Sequence, residues 1–380
     1  MATTTVRVSP PEAGLAPVCE DFSAFIIAGA VSGDETKFRR ETEGRTPAQG
    51  IEDGVDAERL GFRRVFISER WDIKEADVIL AAIGARTTRL ELVTGIIVPT
   101  TRHPWMVAAL GATMQCCFGP RFVLGLGRGD KGAFRGMGIE MTTFTALVES
   151  ARITRRLWAG ESVAYAGQLG RFDALQPHET YPGPQPPIWI AGFCHEKGAA
   201  AAAEAFDGVI LPPMLTPEAT AAAVRRIRTA CERIDRDPAS IRIVQPVVTA
   251  PDMDEFETRS ISTGRLVTYL QYPYYGDILA TANGWDLDVV RRMRAHPQLT
   301  SASRVGDLTY HRHQMVEGPG SVIPWEWVHH CSAIGTPSEC ATSLQRFIDA
   351  GADEVTTYGS TPRQNAPLVA AWRERPEARR

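Results

Sequence analysis

Val65-Phe66-Ile67-Ser68-Glu69-Arg70, Leu92-Val93-Thr94-Gly95-Ile96-Ile97-Val98-Pro99 and Phe122-Val123-Leu124-Gly125-Leu126-Gly127-Arg128-Gly129 decide how this chain is read. Each is an apolar run that breaks abruptly into glycine, proline or charge. Amphipathic helical sequence separates them, so the three stretches read as successive strand exits in a series of βα units. Chemistry in such folds gathers where the strands end.

Working outward, the same rhythm continues on both sides. A strand is predicted from Phe22 to Ala28, a helix from Pro47 to Gly61, a strand over Arg64–Ile67 and a helix from Asp72 to Ala85. Leu90–Ile97 and Phe122–Leu126 are the third and fourth strands, with a helix from Pro104 between them, proline being suited to a first helical turn. After a helix over Thr142–Trp158, the proline-rich stretch from Gly160 to Pro187 reads as irregular. Ile188–Ala191, Gly208–Leu211 and Ile241–Val248 are strands five to seven. The helix after Thr216-Pro217-Glu218 places Ala219, Ala223, Ile227, Ala230 and Ile234 on one face. Thr336 and Glu339 form a capping box that opens a late helix, and Glu354–Tyr358 is strand eight. The expected fold is an α/β (β/α)8 TIM barrel in one domain over residues 1–380. Residues 251–331, rich in tyrosine, tryptophan and histidine, interrupt it between strand seven and the following helix. That length exceeds an ordinary connection and reads as a lid or inserted subdomain.

Composition narrows the function. The chain has 380 residues, 44% apolar, with net charge −4, which gives no reason to expect nucleic acid or an anionic membrane surface as a partner. No apolar run approaches the length of about 18 residues that spans a bilayer, and the first residues lack a secretory pattern. The seven cysteines (Cys19, Cys116, Cys117, Cys194, Cys231, Cys331 and Cys340) are odd in number and lack C-x-x-C spacing, which argues against a disulfide framework. Cys116 and Cys117 lie on a predicted helix and read as core thiols. A cytoplasmic location fits.

Several motifs carry candidate chemistry. Gly125-Leu126-Gly127-Arg128-Gly129-Asp130 fails the G-x-G-x-x-G spacing but lets backbone approach a planar or anionic ligand. Ile190-Ala191-Gly192-Phe193-Cys194-His195 opens a helix whose free N–H groups favour a phosphate, with Lys197 as added charge. Glu69 beside Arg70 is either a structural ion pair or a proton donor with its charge held by a positive neighbour. His103, in Thr101-Arg102-His103-Pro104, is either a donor to a ligand or a helix cap. His311, His313, His329 and His330 match no familiar zinc spacing, so no metal is expected. Serine-hydrolase and zinc-protease motifs are absent from the sequence.

Taken together, these exits resemble the bacterial luciferase-like superfamily of flavin and deazaflavin oxidoreductases, and within it the actinobacterial enzymes that use coenzyme F420. The resemblance runs from Phe22 to Val248 and returns from Ile334 to Tyr358. It implies a strand-three bulge with a non-proline cis peptide at Gly95-Ile96, behind the deazaflavin ring. Val98 would lie near that ring, Gly127, Arg128 and Gly129 along the cofactor, and Gly192, Phe193 and Cys194 at its phosphate, with Ser68 as a further cofactor-binding residue. The chain departs from the family at Arg70, where histidine often follows the acid, and at Phe193-Cys194-His195, where glycine and serine are usual. Glu69 is the first candidate for proton transfer, with Arg70 orienting charge and His103 in reserve. The implied function is hydride transfer between F420 and a small organic substrate, in a homodimer. The alternatives are an FMN-dependent monooxygenase and a cofactor-binding protein without turnover.

Overall fold

The computed structural model describes residues 14–28, 45–70, 74–129, 131–302 and 310–375. The polar, charged segment 31–44 and Asp130 lie outside them.

Eight parallel strands close into a barrel. In spatial order they are β1 (Phe22–Phe25), β2 (Arg64–Ile67), β3 (Glu91–Thr94), β4 (Phe122–Leu126), β7 (Ile188–Ala191), β8 (Gly208–Ile210), β9 (Arg242–Pro251) and β11 (Glu354–Tyr358), which pairs with β1 again. Around them lie α1 (Pro47–Leu60), α2 (Ala76–Gly84), α3 (Pro104–Phe118), α5 (Phe144–Trp158), α6 (Glu196–Ala205), α7 (Pro217–Glu232), α15 (Pro337–Asp349) and α16 (Ala366–Glu374); a short α4 (Lys131–Met137) follows β4.

The helix ends follow from local chemistry. Thr46 and Gln49 form a capping box on α1, which stops at Gly61 in the left-handed conformation. Thr336 and Glu339 do the same for α15, as the sequence predicts.

Side chains fill the barrel in layers, as alternating strand residues must. Phe25, Phe66, Val93, Val123, Trp189, Ile210 and Val244 make the middle layer. Beneath it, the first residues of β2, β3, β9 and β11 are charged and point inward. Arg64 pairs with Glu91 at 3.0 Å and lies 3.3 Å from Glu354, while Arg242 meets Glu354 at 2.7 Å. Ser23 donates to Glu354 as well. This ionic floor sits at the end opposite the strand exits.

Several expectations need correction. The stretch from Gly160 to Pro187 holds an antiparallel hairpin, β5 (Val163–Gly167) and β6 (Gly170–Leu175), whose mostly exposed faces gave no apolar alternation. Ile234 is exposed beyond the end of α7, although Ala219, Ala223, Ile227 and Ala230 are buried. Cys116 and Cys117 are exposed, because α3 turns that face outward; all seven thiols are free. An additional strand, β10 (Ser332–Gly335), pairs with the upper half of β9, which outruns β11. The insertion between β9 and β10 is helical in its described parts: α8 (Glu255–Ile261), α9 (Thr263–Leu270), α10 (Pro273–Asn283), α11 (Leu287–Arg294), α12 (Pro297–Ser301), α13 (Arg312–Glu317) and α14 (Trp325–His330).

Candidate active site

Parallel strands bring the exits of β2, β3 and β4 to one end of the barrel, and backbone bonds lock them together. Val93 pairs with Val123 and Ile97 with Leu126, so four steps along β3 face three along β4. That extra residue is a β-bulge. It contains the expected cis peptide between Gly95 and Ile96. Gly95 N–H donates to Ile67 O at 2.7 Å, Glu69 N–H to Ile96 O at 3.3 Å and Gly127 N–H to Ile97 O at 3.0 Å. Thr94 Oγ1 accepts from Gly125 N at 2.7 Å and donates to Gly125 O at 3.0 Å. The layout needs small residues on β4. A Cβ on Gly125 would lie 1.9 Å from Thr94 O, and one on Gly127 would lie 2.6 Å from Ile96 Cδ1. Gly95 and Ile96 are half-buried at the mouth, as are Ser68, Arg128 and Gly129; Val98 is fully buried, so its side chain does not face open space.

The acid expected at the β2 exit is present, but its partner differs from the expectation. Glu69 Oε1 lies 2.6 Å from Arg102 Nη2, and its side chain is only 8% exposed. Arg102 also holds Asp77 at 2.6 Å and pairs with Glu75. Glu75 caps α2 by accepting from Asp77 N at 2.9 Å. Three carboxylates thus surround one guanidinium. Burial pushes the Glu69 pKa up, against the hydrogen bond and charge of Arg102. Asp77 is pushed from 3.8 to about 7, by burial first and then by Glu75 and Glu69, with Arg102 opposing. Glu69 Oε2 and Asp77 Oδ1 are buried and have no hydrogen-bond partner among the described residues. Arg70 instead bridges Lys74 through its backbone, with N–H to O contacts of 3.1 and 2.8 Å.

His103 takes the helix-cap role: its Nδ1 accepts from Trp105 N at 3.2 Å at the start of α3, and the residue is exposed. Its ring lies 5.7 Å from that of Phe172 in the hairpin. His311 and His313 stack on each other, and His330 Nε2 lies 2.9 Å from Glu218. No cluster of three or more metal-ligating side chains occurs among the described residues.

The exit of β7 forms the other wall. Gly192 and Phe193 are half-buried, and a Cβ on Gly192 would meet nothing within 4 Å, so open space lies beside it. His195 begins α6 without a side-chain cap bond, which leaves the first N–H groups of that helix available. The Cys194 thiol is buried and its pKa is pushed up to about 12 by burial, so only its backbone borders the mouth. The Cys194 carbonyl accepts from Arg226 Nε at 2.9 Å. Arg128 Nε donates to Thr142 O at 2.7 Å and its guanidinium lies 4.5 Å from the Phe144 ring centre. Lys197 is exposed.

Residues of the insertion complete the mouth. Phe193 meets Tyr275 with ring centres 4.8 Å apart, Tyr269 is hydrogen-bonded to Tyr358 at the end of β11, and Arg265 lies 4.6 Å over the Tyr358 ring. Sequence reasoning missed Arg102, Asp77, Lys74 and Arg265. Arg102 stood in a quoted motif beside His103, but its partners come from the loop before α2 and from α2 itself, which no spacing rule connects. Arg265 falls in the stretch without periodic signal.

A closed parallel barrel with a bulged third strand and a polar mouth defines the class: a TIM barrel whose chemistry belongs at the strand exits. The luciferase-like monooxygenase family matches residues 31–354, and the chain belongs to that family. The 5,10-methylenetetrahydromethanopterin reductase of Methanolobus tindarius is 24% identical over 79% of this chain and 86% of its own length. The F420-dependent glucose-6-phosphate dehydrogenase of Nakamurella multipartita is 32% identical, over 40% of this chain and 49% of its own length. The structure of the coenzyme F420-dependent tetrahydromethanopterin reductase from Methanopyrus kandleri superposes with TM-score 0.72 at 20% identity, covering 94% of this chain and 98% of that one. At that identity the likeness speaks for the barrel.

Proposed function

We propose that this chain is a coenzyme F420-dependent oxidoreductase that moves hydride between the deazaflavin and a small organic substrate. The observation that carries the reading is the register break of β3, which brings the half-buried Gly95–Ile96 backbone to the mouth between Glu69 and Gly127. Relatives named as F420-dependent enzymes support the choice of cofactor.

The residues present fit such a group. Open space beside Gly192, the uncapped start of α6 and the nearby cations Arg128 and Arg226 suit a phosphate. Gly127, Arg128 and Gly129 would hold the cofactor together with Ser68, and the Gly95–Ile96 bulge would lie behind its ring. When bound, the deazaflavin supplies the hydride chemistry and the protein supplies position and proton transfer. Glu69 is the group that holds the proton, and Arg102 fixes its orientation through Oε1. Asp77 shares the same guanidinium and modulates that charge. Substrate enters under the insertion, on the side of Tyr269 and Tyr358.

The exposed outer faces of α2 and α3, with Val78, Trp105 and Met106, support a homodimer. Free thiols support a cytoplasmic location. Among the described residues no helix is long and apolar enough to cross a membrane.

Fluorescence titration of the full chain with F420 and with FMN tests the reading. Saturable F420 binding that weakens in Gly127→Ala is expected. Tight FMN binding with oxygen consumption, and no response to F420, would overturn it in favour of a monooxygenase.

A further inference from the structure

Four aromatic rings line one side of the barrel mouth in an unbroken run. Phe193, at the β7 exit, lies 4.8 Å from Tyr275 on α10 between ring centres. Tyr275 lies 5.5 Å from Tyr269 on α9, and Tyr269 lies 6.3 Å from Tyr358, the last residue of β11. All four are half-buried. Tyr358 also belongs to the floor of the mouth. With Ile96 and Ala191 it packs against the middle layer of the barrel, and its ring meets Phe25 edge-on at 5.1 Å. A Cβ on Gly95 would lie 3.1 Å from Phe25 Cζ, so one phenyl ring separates Tyr358 from the strand-three bulge. The Tyr269 and Tyr358 hydroxyls are hydrogen-bonded to each other. Such a pair holds two O–H protons, and the bond between them uses one. The second meets no acceptor among the described residues. A hydroxyl that accepts one hydrogen bond becomes a better donor of its own proton. The Arg265 guanidinium, 4.6 Å over the Tyr358 ring, sets a positive charge against that phenol and favours donation from its oxygen further.

From this placement we infer that Tyr358 donates its hydroxyl proton in a hydrogen bond to the reacting oxygen of the substrate, with Tyr269 as its positioning residue, and that the substrate is a neutral carbonyl compound, or the corresponding alcohol, carried on an apolar ring. The inference rests on the oxidoreductase reading for the reaction; the donor and the aromatic wall do not. Reduction of a carbonyl adds hydride from the deazaflavin at carbon and moves the π pair onto oxygen, which takes the proton of Glu69. Oxidation of the alcohol runs the same steps in reverse. Negative charge grows on that oxygen in the transition state, where a preplaced O–H donor counts most. The body of the substrate lies against Tyr275 and Phe193, whose uncharged rings favour an apolar ring packed offset or edge-on.

The test compares acetophenone with isopropenylbenzene, which has the same shape but a methylene group in place of the carbonyl oxygen. Both are titrated by ligand-observed NMR into the full chain saturated with F420. The wild-type protein should bind acetophenone about three- to tenfold more tightly, the worth of one net hydrogen bond. Tyr358→Phe should abolish that preference and leave isopropenylbenzene affinity unchanged, and Tyr269→Phe should reduce the preference in part. Tyr275→Ala, which removes a ring and no proposed donor, should weaken both ligands alike. In the wild-type protein alone, the infrared carbonyl band of bound, isotope-labelled acetophenone should lie below its position in a dry apolar solvent, a readout that needs no variant. Equal affinity for the two ligands, a preference that Tyr358→Phe retains, or a carbonyl band at the apolar-solvent position would overturn the donor. Binding of neither ligand would overturn the substrate class. Failure of F420 to bind would overturn the cofactor reading instead, and the comparison would then be read on the apoprotein.

Discussion

Arg102 Nη2 lies 2.6 Å from Glu69 Oε1, across the bulge that separates the β2 and β3 exits. The same guanidinium holds Asp77 and Glu75, so the charge of the proposed proton donor is set by a residue on a different loop.

Glu69→Gln keeps the shape and removes the ionisable proton. Turnover should fall by about 10²–10⁴, the range for loss of a positioned acid or base, with F420 affinity nearly unchanged. Arg102→Met leaves three carboxylates without their counter-ion. It should destabilise the fold by roughly 2–4 kcal/mol in urea denaturation, somewhat less than breaking a fully buried pair. Wild-type stability in Arg102→Met would show that the cluster is solvated and inert.

Asp77 makes stability depend on pH in a particular direction. Its folded pKa of about 7 stands above the ordinary 3.8, so the native state holds the proton longer than the unfolded chain. The resulting stabilisation is complete below about 4 and is lost as pH rises through about 7. Melting temperature followed in small steps of pH should carry this falling component, on the order of 1–3 kcal/mol after coupling to Arg102 is allowed for. Asp77→Asn should remove the slope in that window.

Gly125 and Gly127 differ in what a methyl group would strike. At Gly125 it meets the Thr94 carbonyl, which is backbone and cannot move aside; at Gly127 it meets the Ile96 side chain. Gly125→Ala should therefore cost about 3 kcal/mol or more and yield little soluble protein. Gly127→Ala should cost roughly 1–3 kcal/mol and act mainly on cofactor affinity, through displaced Ile96. Thermal melts beside F420 titrations would separate the two.

These glycines also mark what was legible in the chain. The apolar runs before Glu69, Gly95 and Gly127 reported their strands directly, because a parallel strand buried on both faces is continuous in apolar residues. Thr336, Glu339 and Gly61 marked helix ends, because caps are local chemistry. The β5–β6 hairpin was hidden, since only Val163 and Leu175 at its ends are buried, Tyr165 and Phe172 are half-buried, and the remaining residues face water. The ionic floor was hidden for a different reason. Arg64, Glu91, Arg242 and Glu354 fall within the predicted strands, but no spacing in the sequence pairs them, and only closure of the barrel brings them together. The Arg102 cluster and Arg265 depend on contacts between distant loops, which periodicity does not encode.

His103 separates a capping role from a chemical one. His103→Ala should lower stability by about 1 kcal/mol through loss of the α3 cap, and His103→Asn should restore it, because asparagine caps equally well. Turnover in the asparagine variant should match wild type. A large loss of turnover at full stability would return His103 to the reacting groups.

Met106 tests the proposed dimer. It is 62% exposed on α3, beside Trp105, and Cys117 follows three turns later on the same outward face. An apolar face of this kind is expected to bury against its symmetric copy. Wild-type protein should run as a dimer in light scattering, with Cys116 and Cys117 reacting slowly with a thiol reagent. Met106→Asp places two buried charges near one two-fold axis. It should give a monomer in which both thiols react fast, while the melting temperature of the isolated barrel changes little. A dimer that persists with protected thiols would place the interface on other helices, and a wild-type monomer with fast thiols would remove the dimer altogether.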